Sequence, residues 1–249
     1  MNIRLKTPAQ IKKLKKAGRV VAEVLDLISE NVRPGVTTKK LDDLAAAHFK
    51  KRNARAAFLG YQGFPAHICV SIDDEVVHGI PSDRRLEEGQ IVSVDVGSIV
   101  DGYYGDSARS FAVGGITNGA GKLLEATREA LNRGIEACVI GNRLGDLSAA
   151  IQRYAESRGF SVVRDLVGHG IGTRMHEEPQ VPNFGEPGTG IELEEGLVLA
   201  IEPMINAGKY EVRMLSDGWT IVTDDGSLSA HFEHTVAITS NGPEILTLR

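Results

Sequence analysis

The sequence predicts an α+β fold in which a mostly antiparallel sheet is covered by helices and built as two similar halves. Three observations carry this. Apolar residues recur at helical spacing in two pairs of segments, and each pair is followed by short β-branched runs. The segments 41–47 (LDDLAAA) and 144–150 (LGDLSAA) match at five of seven positions and occupy the same place in each half. No Pro-, Gly- or Ser-rich linker separates the halves, so residues 1–249 are read as one domain.

The elements follow in order. Thr7-Pro8 starts a helix, with Thr as the cap and Pro at the first helical position, and apolar spacing carries it from Ile11 to Ile28. Arg33-Pro34-Gly35 ends that element, and a second helix is expected from about Thr38 to Lys51. Strands are predicted at 68–72, 91–99 and 103–113, the last two joined by a turn at Asp101-Gly102. Helical patterns return at 121–139 and 144–157, followed by strands near 162–166, 198–205, 219–223 and 231–239.

Composition narrows the class. With 42% hydrophobic and 24% charged residues over 249 positions, the chain has ample material for a core and none of the bias of a disordered segment. The longest apolar runs, such as 197–201, are far too short to cross a bilayer, and the polar, basic stretch from Met1 to Lys16 lacks the apolar core of a secretory signal. Cys69 and Cys138 neither require a disulfide nor form a zinc module, which points to a reducing, cytoplasmic setting. The net charge of −5 is unevenly spread: residues 1–55 hold 14 Lys and Arg against five acids, leaving −14 for the rest. Solvated helix faces account for such a segment most simply; the sharper expectation is an electropositive edge that meets nucleic acid, the ribosome included.

Chemistry is concentrated at residues that do not suit their surroundings. Asp95 lies inside the run IVSVDVG, where a buried carboxylate is costly. A hairpin turning at Val100-Asp101 places Asp95 directly opposite Asp106, and one centred on Asp101-Gly102 makes the two diagonal neighbours on the same face. Two carboxylates so close keep a proton unless a cation lies between them. Glu202 closes the apolar run 197–201, and strand alternation puts His231 and Glu233 on one face, with Phe232 and His234 on the other. His169 stands between glycines, which are expected to let the backbone bend and leave its imidazole accessible. Five of the seven histidines (His78, His169, His176, His231 and His234) lie in segments that also hold these acids or glycine turns. Four carboxylates (Asp95, Asp106, Glu202 and Glu233) balance two divalent cations. With His169 as nitrogen donor they suit Mn, Fe, Co or Zn in an open site, and hence metal-assisted hydrolysis.

At this point the motifs become specific. VHGIP at 77–81, DVGSIVDGYYGD at 95–106 with its two aspartates at the ends, GHGIG at 168–172, HEEPQ at 176–180, AIEPM at 200–204 and FEHT at 232–235 resemble the methionine aminopeptidases, in the family's order and over nearly the whole chain. The resemblance implies the pita-bread fold and a two-metal site of Asp95, Asp106, His169, Glu202 and Glu233, with Asp106 and Glu233 shared by both ions. It implies that Glu202 carries the proton, His176 contacts the carbonyl oxygen in the transition state and His78 binds the scissile amide. Its methionine pocket corresponds to Tyr61, Phe64, Cys69 and Trp219, lined further by Phe58 and Met175. The implied substrates are N-terminal methionyl peptides of nascent proteins with small second residues, cleaved by a monomer. Glu202 and Glu233 are 31 positions apart, too close for the insertion of type 2 enzymes, so the bacterial-style type 1 pattern fits.

Three rivals differ in checkable ways. Xaa-Pro aminopeptidases and prolidases share the ligand set but are expected to carry an additional N-terminal domain. Creatinase-like enzymes are expected to have lost the ligands. A non-catalytic peptide- or nucleic-acid-binding protein would have no need of five intact ligands together with His78 and His176.

Overall fold

The computed structural model describes residues 3–249; Met1 and Asn2, the start of the basic N-terminal stretch, lie outside the described residues. The first half opens with helices α1 (Pro8–Ser29) and α2 (Thr38–Lys51). Strands β1 (Arg55–Ala56), β2 (Cys69–Ile72), β3 (Glu75–Val77), β4 (Ile91–Val100) and β5 (Tyr103–Ala112) follow, with one 3-10 turn at Tyr61–Gly63. The second half repeats the order with α3 (Asn118–Glu136) and α4 (Leu144–Ser157). Its strands are β6 (Ser161–Val162), β7 (Gly168–Gly170), β8 (Glu177–Val181), β9 (Val198–Ile201), β10 (Met204–Asn206), β11 (Val212–Met214), β12 (Ile221–Thr223), β13 (Ser229–His231), β14 (His234–Thr239) and β15 (Gly242–Ile245).

Local signals set the helices. Thr7 caps α1 by accepting from the Gln10 N–H while the Gln10 side chain returns to the Thr7 N–H, a full capping box with Pro8 in the first turn. Helix α3 starts three residues before the predicted 121, because Thr117 caps it by accepting from the Ala120 N–H. The matching heptads of the sequence lie on α2 and α4.

The pairings between strands are all antiparallel, and they divide into four sheets. In one, β4 lies between β1, β2 and β5; a second runs β15-β14-β9-β7-β8; two three-stranded sheets run β13-β10-β6 and β11-β12-β3. Each half has its own apolar cluster. Val21, Leu25, Ile28 and Leu41 pack on Val92, Val94 and Val96, while Leu123, Leu131, Leu147 and Ile151 pack near Leu199, Ile201 and Val236.

Several predicted strands are shorter or broken, and side chains or proline explain each case. The strand expected at 198–205 is two strands, because Pro203 lacks the N–H needed to continue the ladder. That expected at 231–239 splits at Phe232-Glu233, where the Glu233 N–H leaves the ladder to bond the Ala108 carbonyl at 3.0 Å. The strand predicted at 162–166 is confined to Ser161–Val162, since only Asn206 and Ile205 of the short β10 pair with it. Trp219 and Thr220 stay outside β12 because Asp217 Oδ1 takes both of their N–H groups at 2.9 Å.

Candidate metal centre

The β4–β5 hairpin supplies the first two carboxylates. Its turn is Asp101-Gly102, with φ of 51° and 79°, the pair of positive φ values of a type I′ turn. That centring pairs Gly97 with Asp106 and Asp95 with Ala108, so the two aspartates are diagonal neighbours on one face. On the other side of β4, Cys69 pairs with Asp95.

The remaining acids come from the second half, each at a strand break. Glu202 follows β9 immediately before Pro203, and Glu233 lies between β13 and β14. Their backbones are fixed by bonds that cross the molecule. Asn183 Nδ2 donates to the Glu202 carbonyl at 3.1 Å, and Ser107 Oγ donates to the Glu233 carbonyl. Thr235 Oγ1 donates to the Asp106 carbonyl at 2.8 Å and accepts from the Asp106 N–H at 3.1 Å.

His169 corrects one expectation. Its glycine-flanked segment is not a bend but strand β7, paired with both β8 and β9, and the imidazole is buried at 7% exposure. The glycines serve close approach: a Cβ on Gly168 would overlap the Ala200 carbonyl, and one on Gly170 the Glu178 carbonyl. Burial, then the neighbouring His176, lowers His169 to about 4, so the ring is neutral at pH 7. Its Nδ1 lies 2.9 Å from the Gly170 carbonyl, which can only accept, so the proton is on Nδ1 and the Nε2 lone pair is free. That lone pair faces Asp106 Oδ2 at 3.9 Å and Glu202 Oε1 at 3.6 Å.

The electrostatics follow from this crowding. Asp106 and Glu233 are 4% and 2% exposed, and Asp95 and Glu202 keep only a partly open edge. Burial raises Asp95 to about 7, against the lowering influence of the Val96 N–H. Burial and the facing carboxylates push Asp106, Glu202 and Glu233 well above the ordinary range. Asp95 Oδ1, Asp106 Oδ1 and Glu233 Oε1 are buried without a hydrogen-bond partner among the described residues. Ligand atoms of Asp106, His169 and Glu233 lie within 4.8 Å of one another. Buried acceptors facing one another, with no donor between them, fit divalent cations, and the oxygen-rich set with one imidazole suits Mn, Fe, Co or Zn.

The other predicted site residues gather around these groups. A cavity of about 180 Å³ is lined by Phe58, Tyr61, Phe64, Cys69, Met175 and Trp219 together with His78, His176, Asp95, Asp106, His169, Glu202 and Glu233. Phe64 and Trp219 meet edge to face at 5.1 Å between centroids, so that wall is packed in advance. The Tyr61 hydroxyl lies 2.7 Å from His176 Nδ1, a contact the sequence did not suggest. His78 has a φ of 60°, in the left-handed region that few non-glycine residues occupy, histidine more readily than most. Burial, then repulsion from His176, lowers His78, and burial lowers His176, so both rings are neutral at pH 7.

Gln62, at the outer edge of the pocket, also lines the cavity. Two further contributors escaped the sequence reading. Asn183 is distant in sequence and has no local signal. His231, counted among the clustered histidines but given no role, is 1% exposed and points Nε2 at Glu202 Oε2 from 4.0 Å.

Comparison with known proteins agrees with this geometry. The sequence profile of metallopeptidase family M24 matches residues 12–240. A methionine aminopeptidase of Clostridium acetobutylicum is 56% identical, covering 98% of either chain. The crystal structure of methionine aminopeptidase from Thermotoga maritima superposes with a TM-score of 0.98 at 48% identity, covering 100% of both chains. That from Rickettsia prowazekii gives 0.98 at 46% identity, covering 99% of this chain and 100% of its own. The fold is therefore the pita-bread fold, and the chain belongs to metallopeptidase family M24, among its methionine aminopeptidases.

Proposed function

We propose that the chain removes the N-terminal methionine of nascent proteins by hydrolysing the first peptide bond, with two divalent ions held by Asp95, Asp106, His169, Glu202 and Glu233. The observation that carries this is the convergence of four carboxylates and one neutral imidazole at an aromatic, thiol-lined cavity. Asp106 and Glu233, the most buried of the acids, would be shared by both ions, with Asp95, His169 and Glu202 completing the set. Bound there, Mn, Fe, Co or Zn would supply Lewis-acid polarisation of the scissile carbonyl and activation of the attacking water.

The chain's own groups do the rest. Glu202, partly open to the cavity, takes the proton from water and returns it to the leaving amine as the C–N bond breaks. With the Tyr61 hydroxyl donating to His176 Nδ1, Nε2–H is left to donate to the carbonyl oxygen, where charge grows in the transition state. His78, neutral at pH 7, holds the scissile amide. Phe58, Tyr61, Phe64, Cys69, Met175 and Trp219 receive the methionine side chain, whose thioether gains from sulfur–aromatic contact as well as burial. A small second residue is favoured where His176 and Tyr61 crowd the cavity mouth.

The setting of this reaction is the cytoplasm, beside the ribosome. Lys12, Lys13, Lys15, Lys16 and Arg19 on α1 and Lys50, Lys51 and Arg52 around the end of α2 are exposed, and Lys12, Lys50 and Lys51 make no ion pair among the described residues. This edge is suited to a polyanion.

The test is release of free methionine from Met-Ala-Ser, run beside Ala-Pro-Ala, using chelator-stripped protein with and without Mn²⁺ or Co²⁺. Metal-dependent cleavage of the methionyl peptide alone is expected. Cleavage only before proline would move the chain to the prolidase chemistry, and cleavage of neither, with ions bound, to a binding protein.

A further inference from the structure

We infer that His231 is a positioning residue for Glu202, its Nε2–H holding the outer carboxylate oxygen while the other oxygen handles the proton; this rests on Glu202 as the proton carrier. His231 ends β13, is 1% exposed, and its Nε2 is buried with no hydrogen-bond partner. A histidine that serves packing alone has its ring nitrogens satisfied. This one faces Glu202 Oε2 at 4.0 Å, and a movement of about 1 Å by either side chain closes that gap to hydrogen-bond length.

The two imidazoles flanking Glu202 differ in where their protons are. His169 commits its Nδ1 proton to the Gly170 carbonyl and presents a bare Nε2 to Glu202 Oε1 at 3.6 Å. Among the described residues no acceptor claims the Nδ1 proton of His231, so its Nε2 is free to carry the hydrogen that Oε2 can accept. The backbone beneath the ring is fixed. The His231 N–H donates to Ser110 Oγ at 2.9 Å, and Ser110 Oγ donates to the His231 carbonyl at the same distance. Met204 stands opposite across the ladder. Among the described residues Glu202 is hydrogen-bonded at its carbonyl, by Asn183, and not at its carboxylate, so on this side the orientation of the carboxylate depends on His231. His231 gains no proton overall: Glu202 accepts one from water and delivers it to the leaving nitrogen.

The experiment compares three variants on Met-Ala-Ser and titrates Mn²⁺ into each chelator-stripped protein by calorimetry. His231→Phe keeps a ring but removes the donor, His231→Gln puts an amide N–H near the Nε2 position, and His231→Asn puts one near Nδ1. His231→Phe is expected to lower kcat about 10- to 100-fold with KM nearly unchanged, and to weaken Mn²⁺ binding. His231→Gln is expected to restore both, and His231→Asn neither. Wild-type kcat and Mn²⁺ affinity in His231→Phe, or equal losses in all three variants, overturns the inference. If His231→Phe does not fold, the contrast between Gln and Asn decides. Glu202→Gln separates the two levels. An active Glu202→Gln removes the proton-carrier reading itself, whereas an inactive one beside a normal His231→Phe removes only the role of His231.

Discussion

Asp95 occupies a strand position that an aliphatic side chain would fill at less cost, and Glu202 and Glu233 are largely buried carboxylates at breaks between strands, beside Pro203 and where the Glu233 N–H turns to the Ala108 carbonyl. Such costs are tolerated where the misfit residue serves another purpose, here the proposed holding of cations. His176 differs in kind: it is exposed at the cavity mouth and oriented by Tyr61. Its proposed contact exists mainly in the transition state, so His176→Ala should lower kcat on Met-Ala-Ser by about 10²-fold while KM changes far less. Steady-state kinetics with kcat near wild type would remove His176 from its role. Asp95 and Glu202 were legible in the sequence because each contradicts the apolar run around it, Asp106 and Glu233 through strand register and alternation, and His169 through its flanking glycines. His231 was not, because its meaning lies in an unpaired Nε2 facing Glu202, a relation no local pattern contains.

At the scale of elements, the segment leading into α1 is tied to the segment that carries His176. Lys6 Nζ donates to Glu177 Oε2 at 2.7 Å, with side chains 5% and 3% exposed, and Glu177 Oε1 accepts from the Thr173 and Arg174 N–H groups at 2.9 and 3.1 Å. Burial alone would raise the Glu177 carboxyl, but Lys6 and the two N–H groups outweigh it and hold the group below 4.5. A carboxyl lowered on folding contributes stability above its unfolded value, and that contribution is lost as pH falls through the folded one. Lys6→Met leaves the buried charge unpaired and should cost about 3–5 kcal/mol at pH 7. The difference from wild type should shrink as pH drops below 4.5, where Glu177 takes up a proton. Urea unfolding of the metal-free proteins at both pH values measures this, and a pH-independent difference would contradict it. The sequence foretold α2 and α4, but read β7 as a bend. Glycine there reflects backbone approach from β8 and β9, and such approach is a tertiary fact.

At the scale of the molecule, the two halves bring separate apolar clusters and separate candidate ligands to one junction. Asp95 and Asp106 come from the first half, and His169, Glu202 and Glu233 from the second. The repeated heptads made the duplication legible; the division of the strands into four sheets was not, because sheet boundaries depend on side chains such as Asp217 and on Pro203. The basic face of α1 belongs to this scale too. Neutralising Lys12, Lys13, Lys15 and Lys16 should reduce co-sedimentation with ribosomes, and added salt should do the same to the unaltered chain. Unchanged sedimentation would count against an electrostatic docking edge. Binding of divalent ions tests the whole arrangement most directly. Calorimetric titration of Mn²⁺ into the chelator-stripped chain should give two ions per chain, with Asp106→Asn and Glu233→Gln each weakening both. Binding of no ion by a chain that still releases methionine would contradict it.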